Sequence, residues 1–230
     1  MELEDYRHVQ AAAKAVHERL ASFIRPQSTE QSIVASCIQL LSDQGITETW
    51  YHNVPAFVLL GSRSCLSISG RDYMPSNEPV GETNLVTVDL SPMLGTVWGD
   101  CARSYYVESG VCTTKPCLAE FLEGAQAETE LHNTMKNFVS PQTRFSELYE
   151  FGNELVHSLG FENLDFLRNL GHSIEHQPSQ RRFIDKSCNE TLDAVQFFTF
   201  EPHIRKRGGG WGFKHENIYY FNSEGRAVEL

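Results

Sequence analysis

Four acidic side chains set into apolar, β-forming runs constrain this chain more than any other feature. Asp89 interrupts LVTVDLSP, and Asp100 follows eleven residues later in GDCARSYYV. Glu201 ends QFFTFEP, and Glu216 stands among aromatics in FKHENIYYF. A carboxylate buried in a strand is costly unless it is paired, protonated or bound to a cation. A single such acid is usually an edge residue facing solvent. Four of them, with no matching set of strand lysines or arginines, call for a cation held between strands. Carboxylate oxygens joined by an imidazole suit divalent Mn, Fe, Co or Zn. The imidazole is assigned to His172 in NLGHSIEH, where the preceding Gly171 lets the backbone come close to the site. His176, four residues on, is expected to face the same cavity.

The intervening sequence shows how such strands are framed. Tyr6, Val9, Ala13, Val16, Leu20 and Phe23 recur at helical spacing, and Pro26 ends that helix. Ser28 with Gln31 predicts a capping box for a second helix that stops near Gly45. FVLLG, CLSIS and LVTVDLS then read as short strands, with a hairpin turn at Pro92 to Gly95 before an extended, aromatic-rich run. A second cycle follows. Residues 117–138 and 144–159 predict two helices, and QFFTFEPHI and GFKHENIYYF predict strands. Helices then strands, twice over, predict an α+β chain of two halves with similar plan. RKRGGG at Arg205 to Gly210 reads as a solvated basic loop.

Composition narrows the setting. The chain has 230 residues, 40% hydrophobic, which supports one compact domain. A net charge of -11 makes nucleic acid an unfavourable partner. No apolar run is long enough to span a bilayer. The polar, acidic N-terminus MELEDYRHVQ lacks the order of a secretory signal. A cytoplasmic location is therefore expected, with the six cysteines reduced and mostly buried.

The order Asp, Asp, Gly-His, Phe-Glu-Pro and a last strand Glu resembles the creatinase/methionine-aminopeptidase superfamily, the pita-bread metallopeptidases. VTVDLSP, GDCARSYYV, NLGHSIEHQP, FTFEPHI and GFKHENIYYFNSEGRAVEL carry the resemblance, which extends over nearly the whole chain. Arg103 and Ser104 after Asp100 are most similar to the Xaa-Pro branch of aminopeptidase P and prolidase, in a compact form. The resemblance implies a single catalytic domain over residues 1–230. Its pseudo-symmetric αβ halves, roughly 1–110 and 111–230, would surround a curved antiparallel sheet. It also implies a site with two divalent ions. Asp89 would bind one, Asp100 and Glu216 would bridge, and His172 and Glu201 would complete the second. A hydroxide bridging the ions would attack the scissile carbonyl, with Glu201 exchanging its proton.

Two departures bear on the substrate. The family usually places a histidine shortly before the first aspartate strand, but CLSISGRDYMPS has none, and His52 in WYHNVP is the nearest alternative. The family's histidine segment is shortened here, and its second His-Glu has become His176-Gln177. An inward His176 would donate to the substrate oxygen as charge develops. The leading expectation is an aminopeptidase or dipeptidase of Xaa-Pro type acting on a small peptide or amide, with a homodimer left open. The alternative is a specialised metalloenzyme of small-molecule metabolism, hydrolysing an amide or oxidising with iron. A non-catalytic binding module ranks below both.

Overall fold

The computed structural model describes residues 2–230, so Met1 of the N-terminal segment lies outside the described residues. The chain opens with two helices, α1 (Leu3–Leu20) and α2 (Glu30–Asp43). Tyr6, Val9, Ala13, Val16 and Leu20 of α1 are buried as the spacing predicts, while Phe23 lies beyond the helix and is exposed. The capping box of α2 sits one residue later than expected. Thr29 caps the helix, its hydroxyl accepting from Ser32 N–H at 3.2 Å while Ser32 Oγ accepts from Thr29 N–H at 2.8 Å.

Strands follow as β1 (Glu48–Thr49), β2 (Ala56–Leu60), β3 (Asn84–Leu90), β4 (Pro92–Leu94), β5 (Val97–Trp98), β6 (Cys101–Glu108) and β7 (Val111–Thr113). CLSIS, expected to be a strand, is not one. Gly61–Cys65 forms a 3-10 turn, and Ser64 spends its groups on the second half of the chain, its hydroxyl accepting from Gly212 N–H and its carbonyl facing His203. The second half repeats the plan with α3 (Ala119–Phe138), α4 (Phe145–Ser158), β8 (Phe161–Asn163), β9 (Ser173–Ile174), β10 (Phe197–Phe200), β11 (His203–Lys206), β12 (Gly212–Lys214), β13 (Asn217–Phe221) and β14 (Ala227–Glu229). The basic loop is tied down, with Arg205 paired to Glu162, Lys206 to Glu123, and Arg207 donating to the His157 carbonyl.

All strand pairs are antiparallel, in the orders β2-β3-β6-β7 and β14-β13-β10-β9 for the two four-stranded sheets. One apolar cluster packs Val9, Val16, Cys37 and Leu41 of α1 and α2 against Val58, Val86 and Val88. A second packs Leu131, Met135, Leu148 and Val156 of α3 and α4 against Phe198, Phe200 and Tyr219. The two sheets meet where Ala102 bridges Glu216. Arg103 fastens that seam, donating to the carbonyls of Ala102 (2.7 Å) and Glu216 (2.6 Å) and to Asn217 Oδ1 (2.7 Å). Among the described residues, no helix is long and apolar enough to cross a membrane.

Candidate metal centre

The seam determines which side chains meet. Asp89 pairs with Ala102 across β3 and β6, and Ala102 pairs with Glu216. Cross-strand partners share a face, and so do residues two apart along a strand. Asp89, Asp100, Lys214 and Glu216 therefore point to one side of the sheet, with only the methyl group of Ala102 between them. His215 points to the other side, as alternation predicts, where it meets His132 of α3 with ring centroids 4.4 Å apart. In the second hairpin Phe200 pairs with Asn217, which carries the next residue, Glu201, up to Glu216.

His172 arrives from a tight approach of backbone to β10. Gly171 has φ +139°, and a Cβ there would lie 2.4 Å from the Thr199 carbonyl oxygen. His172 N–H donates to Thr199 Oγ1 at 3.0 Å, and Thr199 N–H donates to the His172 carbonyl at 2.7 Å. The His172 Nδ1 lies 3.0 Å from the Ser173 carbonyl oxygen. A carbonyl only accepts, so Nδ1 carries the proton and Nε2 presents its lone pair to the acids. Nε2 lies 3.4 Å from Asp100 Oδ2 and 3.7 Å from Glu201 Oε1.

All five sequence-predicted ligands converge. Donor atoms of Asp100, His172 and Glu216 lie within 4.8 Å of one another, as do those of Asp89, Glu201 and Glu216. Glu216 is fully buried and neither of its carboxylate oxygens has a hydrogen-bond donor. Burial, followed by the charges of Asp100, Glu201 and Asp89, pushes the Glu216 carboxyl well above the usual range. Burial likewise raises Asp100 to about 7, against the pull of the neighbouring His172 ring. A buried carboxylate with no donor, crowded by like charges and facing an imidazole lone pair, fits a divalent cation.

Lysine enters where the sequence reading placed none. Lys214 Nζ lies 2.5 Å from Asp89 Oδ2 and 3.2 Å from Glu201 Oε2. Burial opposes its charge, but Asp89, Glu201 and Glu216 hold the ammonium far above the ordinary lysine range. Glu201 is drawn below the usual range because Lys214 and His172 outweigh its burial. The signal was present in the sequence: Lys214 is two residues before Glu216 and must share its face.

The centre opens into a cavity of about 420 Å³, walled by Trp50, Phe57, Phe166, Leu167 and Phe183 and carrying Asp165, Asp185 and Arg181. Arg181, unforeseen from sequence because its segment has no periodicity, stacks over Trp50 at 4.6 Å, with Nη1 3.5 Å from His172 Nε2. His52 lines this cavity from a left-handed turn with φ +48°. His203 does too, its Nε2 bonded to the Ser64 carbonyl at 2.6 Å. His176 is exposed and not among the residues lining the cavity. The chain there leaves β9 for a short 3-10 turn at Pro178–Gln180, and Arg181 reaches the pocket instead.

The family model of metallopeptidase family M24 matches residues 4–223. Among curated proteins, no sequence matches. Solved structures with the same fold include X-Pro aminopeptidase from Thermotoga maritima, with TM-score 0.81 and 17% identity over 99% of this chain and 60% of that one. Prolidase from Pyrococcus furiosus superposes with TM-score 0.80 at 18% identity, covering 99% of this chain and 63% of the other. Methionine aminopeptidase from Thermotoga maritima gives 0.76 at 17% identity, covering 99% and 95%. The chain thus has the α+β pita-bread fold, and it spans about three fifths of the length of the first two relatives.

Proposed function

Because the chain belongs to metallopeptidase family M24, a family of hydrolases, we propose that it is a metal-dependent aminopeptidase or dipeptidase of Xaa-Pro type acting on small peptides. The observation that carries the reading is the convergence of Asp89, Asp100, His172, Glu201 and Glu216, with the Glu216 oxygens lacking any donor. Asp100, His172 and Glu216 would hold one divalent ion, and Asp89, Glu201 and Glu216 a second. Such ions supply Lewis acidity, ionising water at neutral pH and polarising a carbonyl.

The chain's own residues do the rest. Glu201, kept ionised by Lys214 and His172, accepts the proton of the attacking water and returns it to the departing amine as the C–N bond breaks. Arg181, set over the Trp50 and Phe183 rings, offers its remaining N–H groups to a substrate carboxylate or carbonyl oxygen. His52 contacts the substrate at the mouth. A cavity of this size, with Asp165 and Arg181 of opposite sign on its wall, suits a dipeptide-sized substrate with charged ends. The setting we propose is cytoplasmic, supported by six unpaired cysteines.

The exposure of His176 favours one second reading. With His176 turned away, the same centre suits amide hydrolysis or iron-dependent oxidation of a small metabolite. The test is turnover of Xaa-Pro and control dipeptides with added manganese or cobalt, by wild type and Asp100→Ala. Proline-dependent cleavage lost in the variant supports the peptidase. No cleavage, with oxygen consumption on loading with iron, supports the oxidative enzyme instead.

A further inference from the structure

We propose that the Lys214 ammonium is a built-in cation in the Asp89–Glu201 side of the centre, so that the protein holds one divalent ion tightly, at Asp100, His172 and Glu216, and takes a second only weakly. The inference rests on the metal-dependent reading above and deepens it. It comes from an asymmetry within the five donors. On one side, Asp89 and Glu201 already share a positive charge, with Nζ at 2.5 and 3.2 Å from their Oδ2 and Oε2 atoms. On the other, Asp100 and His172 face each other and the Glu216 oxygens meet no donor at all.

The two kinds of cation cannot use the same oxygens together. A divalent ion sits about 2.0–2.2 Å from a carboxylate oxygen. An ammonium hydrogen-bonded to Asp89 Oδ2 takes up one of the oxygens such an ion would use, and two cations a few ångströms apart repel. Nor is the lysine free to drift by backbone motion. Its N–H donates to Ser104 Oγ at 2.9 Å, and Ser104 Oγ donates back to its carbonyl at 3.1 Å. Lys214 is also paired in register with His203 on β11. A second ion must therefore displace the side chain alone. The flexible lysine stem allows that, and Asp165 on the same cavity wall offers another acceptor. Displacement gives up two charge-assisted contacts, so the second ion binds weakly rather than never.

The test counts ions, without relying on activity. Metal-free wild type, Lys214→Met, Lys214→Gln and His172→Ala are dialysed against manganese or cobalt, the bound metal is quantified, and each protein is titrated by calorimetry. Wild type is expected to retain one equivalent. Both lysine variants should retain two, the second binding at least about a hundredfold tighter than in wild type. His172→Ala should lose the tight equivalent. Two tight equivalents in wild type overturn the proposal whether or not the lysine variants fold. One equivalent in well-folded lysine variants overturns it as well. No ion in any of the proteins overturns the metal reading itself, and the inference with it.

Discussion

Behind the candidate centre, two buried histidines occupy matching places in the two halves, and they make stability depend on pH in a calculable way. His17 of α1 has Nε2 2.9 Å from the Cys101 carbonyl oxygen and Nδ1 2.8 Å from the Tyr105 hydroxyl. His132 of α3 has Nε2 3.0 Å from the His215 carbonyl oxygen and Nδ1 2.7 Å from the Tyr219 hydroxyl. Each carbonyl precedes a proposed ligand, Asp100 or Glu216, by one residue or follows it by one. Nε2–H donates to the carbonyl in each case, which leaves Nδ1 as the nitrogen without a proton; at His132 it accepts from the Tyr219 hydroxyl, while the Tyr105 hydroxyl near His17 also donates to the His17 carbonyl oxygen at 3.0 Å. Burial, with Arg103 adding to it, pulls both imidazoles down to about 3. The unfolded chain binds a proton at each histidine near pH 6.5 and the folded chain does not, so stability is full above that pH and falls as pH drops toward the folded value.

Between pH 7 and pH 5 one such histidine costs about 2 kcal/mol, and any folded pKa below about 4 gives the same figure. The raised carboxyls of Asp100, Glu128 and Glu216 act in the opposite sense, since the folded state takes up their protons first as pH falls. They are common to wild type and variant and cancel in a difference. Urea unfolding of wild type and His132→Gln, both metal-free, is therefore to be compared at the two pH values. The variant starts less stable at pH 7, having lost a fitted imidazole. By pH 5 its deficit should shrink by about 2 kcal/mol. His17→Gln should behave alike. Parallel curves, with an unchanged deficit, would refute the claim that the folded protein keeps these imidazoles neutral.

Gly171→Ala forces a Cβ to within 2.4 Å of the Thr199 carbonyl oxygen at φ +139°. We expect a loss of about 1–3 kcal/mol in thermal stability from the backbone alone. Metal affinity should fall at least about tenfold because His172 moves with the segment, and calorimetric titration checks this. Glu30, fully buried, accepts from the N–H groups of Leu60 (2.9 Å) and Ser76 (2.7 Å) and from Arg63 Nε (2.8 Å), tying α2 to the wall of the cavity. Glu30→Ala should cost about 3–5 kcal/mol in urea unfolding, with Glu30→Gln recovering part of it.

The helices were readable because burial imposes a period of 3.6 on their apolar residues, and α1 keeps that period through Val9, Val16 and Leu20. The clustering of the four acids was readable for the converse reason, since a carboxylate in an apolar strand needs a partner. CLSIS misled because alternating apolar and small polar residues satisfy a strand period, while the actual segment is held by Ser64 reaching Gly212 almost 150 residues away. No local pattern encodes that contact. Arg181 was out of reach for the same reason: its place is set by the Trp50 ring, on an irregular loop far off in sequence. His176 was directed inward by its place four residues after His172 and by the resemblance, and the segment leaves it exposed.

Lys214 is the instructive omission, because the rule that would have found it was already in use. Alternation places His215 on the far face of its strand, and the same step places Lys214 beside Glu216 on the near one. What the strand pattern does not carry is the seam. Asp89 and Lys214 belong to different halves, and they meet only because Ala102 bridges Glu216 and Arg103 clamps both carbonyls. The charge balance of the centre is therefore a property of how two hairpins dock, four acids answered by one lysine. How many metal ions remain to be recruited depends on that docking more than on the list of ligands.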